Sequence, residues 1–369
     1  MHYTRMPIEI ESPEQMGYDS IKNNLTESSY TDTVLHDINI DLNELILCYA
    51  DHRGSAALRS CIVDDSPILK EDNVLITVGA AAALFIVATS LLEPEDEIVV
   101  VRPNYATNIE TPKAIGANIK YIDLKFENNF RINIEEVRNA ISPATQYISV
   151  THPHNPTGVC MTIEELNELI ILAERSNCKL LVDETYRDMS FIEKLPPACE
   201  LSDKVISVSS LSKAYGLPGI RVGWIMCRDR SLMETFLAAK EQIHICGSVV
   251  DEAIAEQYLQ HRKKYFKKIQ KDIDKKFSIL KEWMTTNEHL EWVEPQGGVV
   301  CFPRIKEPEK YDIEKFYQTL NGHYSTYVGP GHWFEMPDHY MRIGYGWPSK
   351  KELKRGLEAI NVSLEHSKK

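Results

Sequence analysis

At 369 residues the chain can bury a large core, and it exceeds one average domain. Apolar residues are 43% and charged residues 26%, the balance of a soluble globular enzyme, and a formal charge of -13 argues against a broad nucleic-acid-binding face, which would be basic. The eight cysteines include no C-x-x-C pair, so neither a zinc nor a disulfide framework is suggested. MHYTRMPIEIESPEQ lacks an apolar leader core and no run reaches transmembrane length, so a cytoplasmic protein without a membrane partner is expected.

Residues 1–42 are polar and acidic and read as an irregular arm joining a smaller domain, with a short helix near Pro13–Asn24. From Asn73 the pattern becomes regular. Apolar, β-branched runs appear at Val74–Thr77, Ile98–Val101, Ile119–Leu124, Tyr147–Thr151, Leu180–Asp183, Val205–Ser209 and Val222–Cys227. Helical periodicity lies between several of them, at Ala80–Leu92, Ile134–Ile141 and Ile163–Ser176. Short apolar strands alternating with helices predict an α/β fold with a mostly parallel sheet covered on both faces. Residues 43–260 are expected to form this large domain. Val249–Leu280 reads as a charged helix leading into a smaller α+β domain over 261–369. That domain would hold a β-like run at Val299–Pro303, a helix near Asp312–Asn321, two further segments at Tyr327–Phe334 and Tyr340–Gly346, and a helix from Lys350.

In such sheets ligands sit beyond the carboxyl ends of the strands, and the chemistry-bearing residues fall there. Between Val205 and Cys227, two strand-like runs flank Ser210, Ser212, Lys213 and Arg221. This cationic, donor-rich cup suits a phosphorylated aldehyde, with the amine forming a Schiff base and the hydroxyls and guanidinium holding the phosphate. The turn Val78-Gly79-Ala80-Ala81 opens a helix whose free N–H groups suit an anion. His152 and His154 have no third ligand at a fitting spacing and read as turn histidines.

The string Ser-Leu-Ser-Lys-Ala-Tyr-Gly-Leu-Pro-Gly-Ile-Arg-Val-Gly resembles the cofactor-lysine segment of the class I/II aminotransferases, fold-type-I enzymes that use pyridoxal 5′-phosphate. His-Pro-His-Asn-Pro-Thr-Gly at 152–158 and Asp-Glu-Thr-Tyr at 183–186 resemble two more of the family's motifs, and Asn155, Asp183 and Lys213 follow one another at about thirty residues each. The resemblance implies a seven-stranded large domain, a smaller α+β domain and a homodimer with shared active sites. It implies Lys213 as the cofactor lysine, and Asp183 against the pyridine nitrogen, favouring the pyridinium form that serves as an electron sink. Tyr105 would stack on the ring, and Asn155 and Tyr186 would bond its phenolic oxygen. Gly79, Ala80, Ala81, Ser210, Ser212 and Arg221 would hold the phosphate, although the family usually has a hydroxyl or amide side chain where Ala80 or Ala81 stands. Tyr49 would reach the cofactor phosphate of the neighbouring subunit, and Arg342, with Asn155 nearby, would grip the substrate α-carboxylate.

The activity that follows is transfer of the amino group of a free L-amino acid to a 2-oxo acid, with Lys213 as general base at Cα. A second reading keeps the cofactor and changes the outcome to elimination or replacement. LSKAYGLPGIRVGW, GGVVCFPRI and MRIGYG resemble enzymes of the capreomycidine-synthase type, which cyclise a hydroxylated arginine. The acidic arm, with Glu9, Glu11, Glu14 and Asp37, suits a cationic side chain. A DNA-binding regulator would need an added basic domain, for which no residues remain. Many relatives carry a glycine in the N-terminal segment whose backbone meets the substrate carboxylate. Here Ile38, Asn39 and Ile40 occupy the plausible region, without a clear match.

Overall fold

The computed structural model describes residues 1–369. Its first strand, β1 (Asn23–Leu25), lies in the arm. Seven more follow: β2 (Val74–Val78), β3 (Glu97–Arg102), β4 (Asn118–Asp123), β5 (Thr145–Thr151), β6 (Lys179–Asp183), β7 (Val205–Ser210) and β8 (Val222–Cys227). These seven form one sheet in the order β2-β8-β7-β6-β5-β3-β4. β8 runs antiparallel to both neighbours, and the remaining pairs are parallel. The fold is therefore the α/β architecture that the seven apolar runs predict, with the seven strands that the resemblance to fold-type-I enzymes implies.

Both faces of the sheet are buried, and alternate residues feed two different cores. Val99, Val101, Leu180 and Val182 join the larger core, while Ile98, Val100 and Leu181 join a second one with the helix Gly79–Leu91. That is why these strands read as continuous apolar runs rather than as alternating ones.

A four-stranded sheet lies beyond it. It contains β10 (Val300–Cys301), β12 (Thr326–Pro330) and β13 (Met341–Gly344), with β1 at its edge, in the order β1-β12-β13-β10. β9 (Leu290–Glu291) and β11 (Arg304–Ile305) form a separate pair. The helix Lys350–His366 closes this region. Ser349 and Glu352 make a capping box at its start, and Leu353, Leu357, Ile360 and Leu364 recur at helical spacing on its buried face.

The arm differs from its sequence reading. The helix expected near Pro13–Asn24 stops at Met16, where Gly17 takes a φ of 85°, and residues 23–25 become a strand. Asn-Asn-Leu has no strand pattern of its own. It is a strand because Asn23, Asn24 and Leu25 pair in parallel with Thr326, Tyr327 and Val328. The long charged helix is two helices, Val249–Gln260 and Arg262–Thr285, divided at His261. No helix is long and apolar enough to cross a membrane, and all eight cysteines are free.

Candidate active site

Residues from five strand ends and from the small sheet converge here. Asp183 closes β6 and is buried, and Thr185 donates to its Oδ1 from both backbone N–H (3.1 Å) and hydroxyl (2.6 Å). Burial raises the Asp183 pKa, while the Thr185 bonds and, more weakly, Lys213 draw it down. The loop after β5 buries Asn155. Its two histidines are structural: His152 Nδ1 accepts from the Met161 N–H at 3.0 Å, and His154 Nδ1 meets the Thr157 hydroxyl at 2.8 Å. Burial pushes both rings down to about 4, so they stay neutral near pH 7.

Lys213 follows β7. Burial lowers its amine's pKa, Glu27 opposes that most strongly, and Arg342 and Arg221 lower it further. Beside it, the buried Ser210 hydroxyl accepts from the Ser212 N–H, and Arg221 Nη1 donates to the Ser212 hydroxyl, both at 3.3 Å. Gly79, with a φ of 76°, opens the helix after β2, and a Cβ there would lie 2.3 Å from Arg221 Nη2. Only glycine lets the guanidinium lie against that helix start, so serine hydroxyls, a guanidinium and the first N–H groups at Gly79, Ala80 and Ala81 share one corner. Burial raises the Tyr105 pKa against a hydrogen bond with Thr107, and the charges of Asp183 and Arg221 reach it more weakly.

Arg342 reaches in from β13. Its Nη1 donates to the Asn155 side-chain oxygen at 3.1 Å and its Nη2 to the Thr26 carbonyl at 2.8 Å, with the guanidinium 4.9 Å from the Phe334 ring centre. Tyr186 is buried and its hydroxyl donates to the Ser28 carbonyl at 2.5 Å. The Tyr30 N–H donates to the Lys213 carbonyl at 2.9 Å.

Tyr49 stands apart from the cluster. It is 82% exposed, next to Ile46 and Leu47, each 77% exposed. The region singled out for its missing glycine also lies elsewhere: Ile38 is buried in the main core, and the Asn39 carbonyl accepts from Gln257. Residues 26–30 meet Arg342 and Lys213 instead. Within them sits Glu27, which sequence reasoning missed. It holds no motif position, and its only signal is an acid in an otherwise uncharged stretch, Asn24–Tyr30.

These residues fit a phosphorylated pyridine aldehyde. The corner at Gly79, Ser210, Ser212 and Arg221 offers a dianion hydrogen-bond donors and positive charge, and buried Asp183, whose two Thr185 bonds both fall on Oδ1, offers a carboxylate to a ring N–H.

Comparison with known proteins agrees. Residues 21–360 match the family described as aminotransferase class I and II. The chain is 32% identical to capreomycidine synthase of Streptomyces vinaceus over 328 residues, 88% of this chain and 82% of that one. It is 33% identical to an arginine–pyruvate transaminase of Pseudomonas aeruginosa over 186 residues, 48% of this chain and 47% of the other. A crystal structure of a pyridoxal-phosphate-dependent aminotransferase from Streptococcus suis superposes with a TM-score of 0.90 at 27% identity, covering 99% of this chain and 100% of that one. The chain belongs to the class I and II aminotransferases, a family of enzymes that depend on pyridoxal 5′-phosphate.

Proposed function

We propose that this protein transfers the amino group of a free L-amino acid to a 2-oxo acid. The observation that carries the reading is the bond between Arg342 and Asn155, which joins the grip for the substrate carboxylate to the edge of the cofactor pocket. Pyridoxal 5′-phosphate supplies an electron sink for the pair released when the substrate's Cα–H bond breaks.

This chain's residues then have separate tasks. Arg342 takes the α-carboxylate and fixes the substrate's orientation. Lys213, whose amine burial holds below its ordinary pKa, would remove the Cα proton and deliver it to the carbon that had been the cofactor's aldehyde. Asp183 would keep a proton on the ring nitrogen, and the Asn155 amide would hold the phenolic oxygen, joined by Tyr186 once its hydroxyl turns from the Ser28 carbonyl. Tyr105 covers the ring's face. Ser210, Ser212, Arg221 and the N–H groups at Gly79–Ala81 anchor the phosphate.

The exposed run Ile46, Leu47 and Tyr49, with Val34 and Leu35 also exposed, is a surface for a second copy of the chain, and Tyr49 would complete the phosphate site across that interface.

A second reading is elimination or replacement, with cyclisation of a hydroxylated arginine. It is supported by the likeness to capreomycidine synthase over 88% of the chain. The two readings diverge in where the substrate nitrogen ends. The test is to titrate the loaded protein with a panel of amino acids, without any oxo acid, following absorbance and product mass. A lasting absorbance change that pyruvate or 2-oxoglutarate reverses, together with a 2-oxo acid product, supports transamination. Return of the resting spectrum with ammonia or a cyclised product favours the second reading. No response to any amino acid contradicts both.

A further inference from the structure

One short segment of the arm is stitched to three residues of the site. The Thr26 carbonyl accepts from Arg342, the Ser28 carbonyl from Tyr186, and the Tyr30 N–H donates to the Lys213 carbonyl. The segment is also pressed onto β13, where a Cβ at Gly344 would lie 1.9 Å from the Glu27 carbonyl oxygen. Alternate residues 26, 28 and 30 therefore fix the backbone on both sides of Glu27, between Arg342 and Lys213.

The Glu27 carboxylate has only neutral donors as direct partners: the Tyr18 hydroxyl at 3.2 Å and the Asn24 amide at 3.5 Å. The cations that feel its charge are Lys213 and Arg342, and Glu14 adds a second negative charge alongside. Each of those cations has another task. Lys213 is committed to the cofactor and Arg342 to the substrate's α-carboxylate. Arg342 is 3% exposed and its Nε has no hydrogen-bond partner, so the guanidinium retains an unused donor for a ligand. With the cofactor and an α-carboxylate in place, Glu27 is a partly buried carboxylate without a cation from the protein. Leaving such a charge unpaired is costly, and an anionic side chain would add repulsion.

We propose that Glu27, supported by Glu14 and Tyr18, is the specificity-determining residue of this site and receives a cationic substrate side chain, a guanidinium or an ammonium group. The proposal rests on the amino-acid reading above and narrows its substrate class. A guanidinium presents a fork of N–H donors that matches a carboxylate in two parallel bonds, while the Tyr18 hydroxyl and Asn24 amide both hold Oε1 of that carboxylate.

The experiment compares arginine, lysine, norleucine and aspartate as amino donors for the loaded wild-type protein and for E27Q, alongside calorimetric binding of arginine and norleucine. Arginine or lysine should exceed norleucine in kcat/KM by roughly ten- to a hundredfold, the range of a charge-assisted pair. E27Q should collapse that ratio toward one, mainly through KM. If E27Q does not fold, E14Q should reduce the same ratio by a smaller factor. A preference for norleucine or aspartate, or a ratio that folded E27Q leaves intact, overturns the proposal. If no amino acid turns over but arginine binds wild type and not E27Q, the catalytic reading fails and the assignment of Glu27 stands. If arginine binds neither, both fail.

Discussion

Arg342 and Asn155, 187 residues apart in the chain, meet across the two sheets: the guanidinium Nη1 donates to the amide oxygen at 3.1 Å. Arg342 is buried, and its charge is held by Asn155, the Thr26 carbonyl and the face of Phe334. Arg342→Ala should therefore weaken all amino acids alike, by about 2–5 kcal/mol in kcat/KM, as expected when one partner of a buried charge pair is lost. Steady-state kinetics with several donors checks this. Loss confined to one donor would make Arg342 a side-chain reader.

Asp183 is the second test. Asn keeps its shape and can still accept from Thr185 through Oδ1, but it carries no charge to stabilise a protonated ring nitrogen. Asp183→Asn should retain the cofactor and slow Cα proton removal by about a hundredfold or more. Single-turnover kinetics with a Cα-deuterated donor would report that step. A near-normal rate would place the ring's partner elsewhere.

Tyr49 tests the dimer. In the proposed dimer, this exposed tyrosine and the two exposed aliphatic side chains beside it would meet the second copy. The protein should sediment as a dimer, and Tyr49→Phe should loosen the cofactor without dissociating the two copies. Unchanged cofactor affinity would leave Tyr49 as an interface residue only.

Glu184, next to Asp183, gives a pH-dependent expectation. Burial pushes its carboxyl up to about 7, against the opposing pull of Arg187 and of the Ala198 N–H, which donates to it at 2.6 Å. A raised acid pKa means that the folded chain holds this proton where the unfolded chain, with an ordinary value of 4.5, has lost it. Its contribution to stability is full below that ordinary value, falls as pH rises toward 7, and is gone above it, a loss of about 3 kcal/mol. Glu184→Gln should flatten the slope of unfolding free energy against pH in this window, measured by urea titration. An unchanged slope would assign it to other groups.

Much of this architecture could be read from the residues, because buried parallel strands announce themselves. Val74–Thr77 and Leu180–Val182 are uninterrupted apolar or β-branched runs, Val205–Ser209 is broken only by small serines, and each lies in a strand. The helix Thr107–Ile115 escaped because TNIETPKAI is polar and carries Pro112, so its place between β3 and β4 is set by tertiary packing. β1 escaped for the same reason, since Asn-Asn-Leu is extended only against Thr326–Val328. The site was legible where a motif fixes the spacing, as at Lys213, Asp183 and Asn155. Glu27 was not, because its position depends on the backbone bonds of Thr26, Ser28 and Tyr30 to residues far along the chain.

Under the proposed function, Lys213 is the residue that engages the cofactor. Borohydride reduction of the loaded protein, followed by proteolysis and mass spectrometry, tests it most directly. The cofactor's mass should be fixed to the peptide containing Ser212-Lys213-Ala214, and Lys213→Ala should carry no such label and show no turnover. A label on another lysine, or turnover retained in Lys213→Ala, would contradict it.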